Sequence, residues 1–250
     1  MGTNADSTRA RIVEIESLRQ PGGGSPLFEG YLHGGVATSC FVLDVPPDGG
    51  AVLHRHPYPE IFILLDGQAR VWVDGVSADV HARQIAIVPA SAAHRFTNTG
   101  KVTLRTVNIH PNERRIQENL PAEAEPAPGT TSRAPVVVET EALRPAGGGA
   151  PFFEGAEHGD VPATFFVVDA APGAGPQLHS HPYAEVFVLR NGRARFWVGD
   201  ELLDAHAGQI VVAPASLPHR FVNSGHETLR TVNIQPVARM VVDWLTEDGW

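Results

Sequence analysis

The chain has 250 residues and a formal net charge of −9, with 28 acidic side chains against 19 lysines and arginines, a balance that offers no concentrated basic surface and argues against a nucleic-acid partner. Lys101 is the only lysine and Cys40 the only cysteine, which confines Schiff-base chemistry to one neighbourhood and excludes an intrachain disulfide framework. No stretch approaches the ~20 apolar residues of a membrane helix and the N-terminus lacks the apolar run of a signal peptide, so the expectation is a soluble cytoplasmic protein with no membrane partner.

In chain order, a Gly-rich leader comes first, Gly22-Gly23-Gly24-Ser25-Pro26-Leu27-Phe28-Glu29-Gly30. Residues 38–45 are apolar and β-prone. Residues 60–65 run into Asp66-Gly67, a turn signal, and 69–73 alternate, with Val71 and Val73 on one side and Arg70 and Trp72 on the other. Residues 85–88 are stopped by Pro89, and Phe96 and then 102–109 complete the series. The periodicity of 113–120 predicts a short helix. Residues 121–135 are rich in Pro, Ala, Glu, Thr and Ser and read as a connection. The whole series then returns 125 residues later, from Gly147-Gly148-Gly149 to Leu229-Arg230-Thr231-Val232-Asn233-Ile234, followed by a second predicted helix over 237–245. The repeat sets two domains, 1–125 and 136–250, joined by a linker at 126–135. Many short strands at this spacing read as an antiparallel sandwich or barrel.

Inside the repeat, His54, His56, Glu60 and His94 recur as His179, His181, Glu185 and His219. The His-x-His pair shares one face of a strand. Glu60 follows the bend Pro57-Tyr58-Pro59, and two adjacent strands of a small barrel would bring all four groups to one interior point. Buried together without a partner, three imidazoles and a carboxylate carry a large desolvation cost. A divalent ion removes that cost, and an N3O set leaves positions open, as catalysis requires. Cys40 has Phe165 at the matching place of the second copy, which marks it as a core thiol.

Gly50-x3-His54-x-His56-x3-Glu60-x6-Gly67, its counterpart His179-x-His181-x3-Glu185-x6-Gly192, and the later Gly208-x5-Pro214-x-Ser216-x2-His219-x3-Asn223 resemble the two motifs of the cupin superfamily. Copy one departs once, with Arg83 where the second motif has glycine. The resemblance spans most of the chain and implies an all-β bicupin: two tandem double-stranded β-helix (jelly-roll) barrels. It implies one divalent metal per barrel, held by His54, His56, Glu60 and His94 and by His179, His181, Glu185 and His219. Fe(II) is favoured, with Mn(II), Ni(II) and Zn(II) as alternatives.

Alternation places Phe62 and Phe96, and Phe187 and Phe221, beside the ligands, as pocket walls or as core fillers. Arg70, Trp72, Arg195 and Trp197 face either the pocket or the outer sheet. Tyr58 and Tyr183 adjoin the ligands as candidate proton donors, and Glu60 and Glu185 as ligands that also act as bases. Glu29 and His33 are further acid–base candidates. An apolar pocket over an open N3O centre reads first as a dioxygenase-like oxidoreductase acting on a small hydrophobic or aromatic enol, phenol or diketone. A non-redox lyase, decarboxylase or isomerase is the alternative, and a non-enzymatic small-molecule-binding module the third. A homodimer is compatible with all three.

Overall fold

The computed structural model describes residues 8–20, 22–124 and 133–246. They fall into two compact units. Of the described residues, those within Gln20–Glu29 and Thr38–Leu143 form the N-terminal unit, and those within Met1–Arg19, Gly30–Ala37 and Arg144–Trp250 the C-terminal unit.

Each unit holds one six-stranded and one five-stranded sheet, paired antiparallel throughout. In the N-terminal unit the six-stranded sheet runs Val136–Glu139, Gln84–Val88, Glu60–Asp66, Leu104–His110, Ser39–Val45, Leu27–Glu29. The five-stranded sheet runs Glu118–Asn119, Gly50–Arg55, His94–Asn98, Gln68–Val73, Val76–His81. In the C-terminal unit the corresponding orders are Arg11–Glu14, Gln209–Ala213, Glu185–Asn191, Leu229–Gln235, Thr164–Ala170, Phe152–Glu154, and Glu201–His206, Arg193–Val198, His219–Asn223, His179–Ser180, Asp243–Trp244. The sheets remain separate ladders, so the expectation of closed barrels is corrected to two-sheet units. The opening strand of each copy lies in the other copy's unit. Arg11–Glu14 pairs with Gln209–Ala213, and Val136–Glu139 pairs with Gln84–Val88. The repeat alone does not show this exchange.

Each core lies between its two sheets. Alternation on Gln68–Val73 buries Ala69, Val71 and Val73. These meet Phe62 and Leu64 from the six-stranded sheet and Phe96 from the five-stranded one. In the C-terminal unit Phe187 and Leu189 meet Phe196, Val198 and Phe221 in the same way. Full burial of each such side chain contributes roughly 1.5–3 kcal/mol. The opposite face of the five-stranded sheet carries ion pairs. Arg70 Nε and Nη2 donate to Asp79 at 2.7 and 2.9 Å, and Arg195 does the same to Asp204 at 2.8 and 3.0 Å. Trp72 lies under the Arg95 guanidinium and Trp197 under that of Arg220. These four repeat residues therefore belong to the outer face, not to the pocket.

Two glycines set the metal strands. A Cβ on Gly50 would lie 2.0 Å from the Phe96 carbonyl oxygen, and one on Gly175 would lie 1.9 Å from that of Phe221. Only glycine lets the strand carrying the first histidine approach its neighbour so closely. Arg83 adopts φ +68° at the turn where Gly208 has φ +93°, so copy one keeps the left-handed turn despite a side chain.

The two predicted helices are not formed. Residues 113–120 and 237–245 are instead non-helical straps that open on bends and contain the short strands Glu118–Asn119 and Asp243–Trp244. Those strands pair with Gly50–Arg55 and His179–Ser180, the strands that carry the first ligand of each set. Pairing with an exposed sheet edge satisfies the backbone there, and it outweighs the weak helical pattern. The helical remnant after the first strap is one 3₁₀ turn, Ala122–Ala124. Of the expected linker, 126–132 lies outside the described residues; Arg133 Nε pairs with the buried Asp74 carboxylate at 2.6 Å.

Candidate metal centres

Ligands from three segments converge in each unit. His54 and His94 are cross-strand partners in the five-stranded sheet, as are His179 and His219. His56 and His181 follow just after the first ligand strand, and Glu60 and Glu185 open a strand of the other sheet. The site therefore sits where the two sheets meet, and needs both, where two adjacent strands had been expected to suffice. All eight side chains are buried, and within each set the ligand atoms lie within 4.8 Å of one another.

The hydrogen bonds fix which nitrogen faces inward. Nδ1 of His54, His56 and His94 donates to the carbonyls of Val52, Ile116 and Ala92 at 2.7, 2.7 and 2.8 Å. Nδ1 of His179, His181 and His219 donates to those of Gln177, Tyr183 and Leu217 at 2.8, 2.6 and 2.8 Å. The Nε2 atoms then converge on one carboxylate oxygen. From Glu60 Oε2 they stand at 3.7 Å (His54), 3.2 Å (His56) and 2.8 Å (His94), and from Glu185 Oε2 at 3.0 Å (His181) and 3.1 Å (His219). With Nδ1–H committed, each Nε2 meets the carboxylate either as a lone pair or as the second N–H of an imidazolium. Lone pairs repel the oxygen, and several imidazoliums in one buried cluster repel one another. A divalent ion among the Nε2 lone pairs and Oε2 removes both conflicts. The residues fit one divalent metal site per unit. Burial opposes the charge on Glu185, but the histidines around it outweigh burial and hold its carboxyl down at about 2.

Groups missed in the sequence complete the N-terminal centre. Asn108 Nδ2 donates to Glu60 Oε1 at 3.1 Å and is itself fixed by the Thr106 hydroxyl, which donates to Asn108 Oδ1 at 2.8 Å. His110, two residues on, is 1% exposed, and its Nε2 stands 3.4 Å from Glu60 Oε1. Neither of its ring nitrogens has a hydrogen-bond partner among the described residues. Burial, with the neighbouring histidines adding to it, pushes His110 down to about 3 against the pull of Glu60. The C-terminal unit has Gln235 at this place, 2% exposed and with its Oε1 also unpartnered. Alternation from Thr106 through Asn108 to His110 is the signal that places all three on one inward face.

Each centre opens on a cavity, of ≈ 530 Å³ in the N-terminal unit and ≈ 540 Å³ in the C-terminal one. Phe96 borders the first and Phe187 and Phe221 the second. Phe62 packs on Phe96 in the core, ring centroids 5.5 Å apart. Tyr58 stacks on His56 and Tyr183 on His181, at 5.3 and 4.5 Å. Their hydroxyls accept from the backbone N–H of Ile116 and Val241 at 2.7 and 2.9 Å, and neither tyrosine borders its metal cavity. Glu29 accepts from the Arg115 N–H at 3.0 Å, while His33 borders a separate pocket. Asn98 and Asn223 clamp loops through backbone carbonyls. Cys40 is fully buried, and burial lifts its thiol to about 12.

Two paired-sheet units, each built around a three-histidine, one-glutamate cluster, define a two-domain cupin. The cupin domain model matches residues 41–110 and 166–235, and the chain belongs to the cupin family. One relative, described as "Polyketide synthase CurC" from Streptomyces cyaneus, is 31% identical over 107 residues, spanning 41% of this chain and 70% of that protein. Among solved structures, a point variant of oxalate decarboxylase from Bacillus subtilis superposes with a TM-score of 0.72 at 17% identity, covering 94% of this chain and 74% of the other. A structure of the same enzyme concerned with its Mn(II) centres gives 0.72 at 16% identity over the same shares. These findings correct the expectation of a dioxygenase-like oxidoreductase: the solved structures just named are of a decarboxylase, one of them concerned with its Mn(II) centres. Among the described residues no helix is long and apolar enough to cross a membrane.

Proposed function

We propose that the chain is a non-redox, divalent-metal-dependent enzyme of the lyase, decarboxylase or isomerase type, with Mn(II) as the favoured ion. The observation that carries this reading is the pairing, in each unit, of a buried N3O ligand set with a cavity it borders and an unpartnered polar group beside it. When bound there, a divalent ion polarises a carbonyl or carboxylate oxygen as a Lewis acid, with no change of oxidation state. Imidazole and carboxylate donors suit Mn(II) without selecting it strictly.

The chain's own residues do the rest. Asn108 donates to the outer oxygen of Glu60 and holds the carboxylate in one orientation, with the His110 ring lying beside it. Glu60 and Glu185 act as ligands. Tyr58 and Tyr183 position the straps over the sites through Ile116 and Val241. The cavities are far larger than a two-carbon diacid needs, and Phe96, Phe187 and Phe221 give them apolar walls, so the favoured substrate is a larger carbonyl compound. The relative described as a polyketide synthase points the same way, toward a keto-substituted chain.

The test is turnover of Mn(II)-loaded full-length protein on a panel of aryl and alkyl β-keto acids and β-diketones under strict anaerobiosis. Carbon dioxide release, carbon–carbon cleavage or isomerisation without oxygen supports the reading. Turnover that requires and consumes oxygen would overturn it, and tight binding without turnover would favour a binding module.

A further inference from the structure

The two straps share a backbone path and differ in chemistry. Arg115 N–H donates to Glu29 Oε1 and Met240 N–H to Glu154 Oε1, each at 3.0 Å. One residue on, Ile116 and Val241 are held by Tyr58 and Tyr183. Two residues further, Glu118 pairs with Arg55 and Asp243 with Ser180. Positions 125 apart are therefore anchored alike, and their side chains compare directly.

In the N-terminal unit Arg115 and Gln117 line the cavity together with His54 and Glu60. The Arg115 guanidinium lies over the Phe41 ring, 5.4 Å from its centroid, and Nη1 donates to Gln117 Oε1 at 3.3 Å. In the C-terminal unit the same places are Met240 and Val242, and Trp244 adds its ring 5.4 Å from that of His179. The ligand-facing strand also differs, but there one polar side chain replaces another, His110 in one unit and Gln235 in the other. Asp44 borders the N-terminal cavity and Asp169, its counterpart, the C-terminal one, so the two cancel in the comparison. Arg144 also borders the C-terminal cavity; it stands on the leader segment, where it donates to the Gly149 carbonyl, and not at the anchored strap position of Met240.

We infer that the two centres accept different ligands: the N-terminal one a carbonyl compound bearing a carboxylate, the C-terminal one a neutral, apolar carbonyl compound. Arg115 is the specificity-determining residue, presenting a planar cation to the carboxylate at the cavity wall. Met240, at the same anchored place, supplies an adaptable apolar contact instead. This inference rests on the proposed non-redox carbonyl chemistry and deepens it.

The experiment measures binding to full-length protein that retains one centre at a time. His181→Ala leaves the N-terminal centre and His56→Ala the C-terminal one. Both are loaded with Mn(II), and affinity is read from paramagnetic relaxation of the ligand protons. The probes are benzoylformate, a keto carboxylate, and 1-phenyl-1,2-propanedione, its neutral counterpart. Benzoylformate should bind the N-terminal centre about tenfold or more tighter than the C-terminal one, as expected for one charge-assisted contact. Adding Arg115→Met should abolish that preference, and adding Met240→Arg should confer it on the C-terminal centre. The neutral diketone should prefer the C-terminal centre. Equal affinities in the two single-centre proteins, or a preference that survives Arg115→Met, would overturn the inference. If the split holds while turnover needs oxygen, the proposed function falls and this inference stands. Anaerobic turnover with equal binding gives the reverse.

Discussion

Burial decides the role of individual side chains here more firmly than residue type does. Cys40 is a nucleophile by chemistry, but it lies in the core with no exposed surface and its thiol is lifted to about 12. A thiol reagent at pH 8 should leave the native protein unlabelled and react fully after denaturation. Prompt labelling of the native chain would show that the site opens. The same reasoning separates the histidines. His81 and His206 recur in the repeat yet are exposed. The six ligands, in contrast, are buried and oriented by backbone carbonyls, which alone makes their spacing meaningful. The ligand set was legible because His-x-His, a carboxylate four residues on and a later histidine recur intact. His110 was not legible as a site residue, because copy two has Gln235 there and a search for identity between repeats discards the differences.

At the scale of elements, the strands of the repeat were readable from alternation and turn residues, and the straps were not. Residues 113–120 and 237–245 carry a faint helical pattern, but each lies beside a sheet edge with unpaired backbone groups. Ladder hydrogen bonds with Gly50–Arg55 and His179–Ser180 decide the outcome. No local window of sequence contains that partner. The tyrosines fix the straps: Tyr58 accepts from Ile116 N–H at 2.7 Å, while the carbonyl of the same residue accepts from His56. Tyr58→Phe removes the bond from the Ile116 N–H, of about 1 kcal/mol, and the longer one that the hydroxyl donates to the Ile116 carbonyl at 3.2 Å. Amide exchange at Ile116 should then quicken by roughly fivefold or more, with the core amides of Glu60–Asp66 unchanged. Unaltered exchange at Ile116 would mean that the short strand alone holds the strap.

For the molecule as a whole, the duplication is legible in the sequence, while the exchange of opening strands is not. Arg11–Glu14 and Val136–Glu139 are edge strands whose partners lie in the other copy, and nothing in their composition selects one copy's edge over the other's. Duplication also explains how the centres diverged. Two anchored frameworks keep the same ligands, while the straps and the position of His110 and Gln235 vary without disturbing them. The central claim is that each unit holds one divalent ion in its own cluster. The most direct measurement is the metal content of full-length protein loaded anaerobically with Mn(II), dialysed and assayed by elemental analysis, beside His56→Ala and His181→Ala. We predict two ions per chain in the native protein and one in either variant. A native value near one, or loss of both ions from a single substitution, would contradict two independent centres.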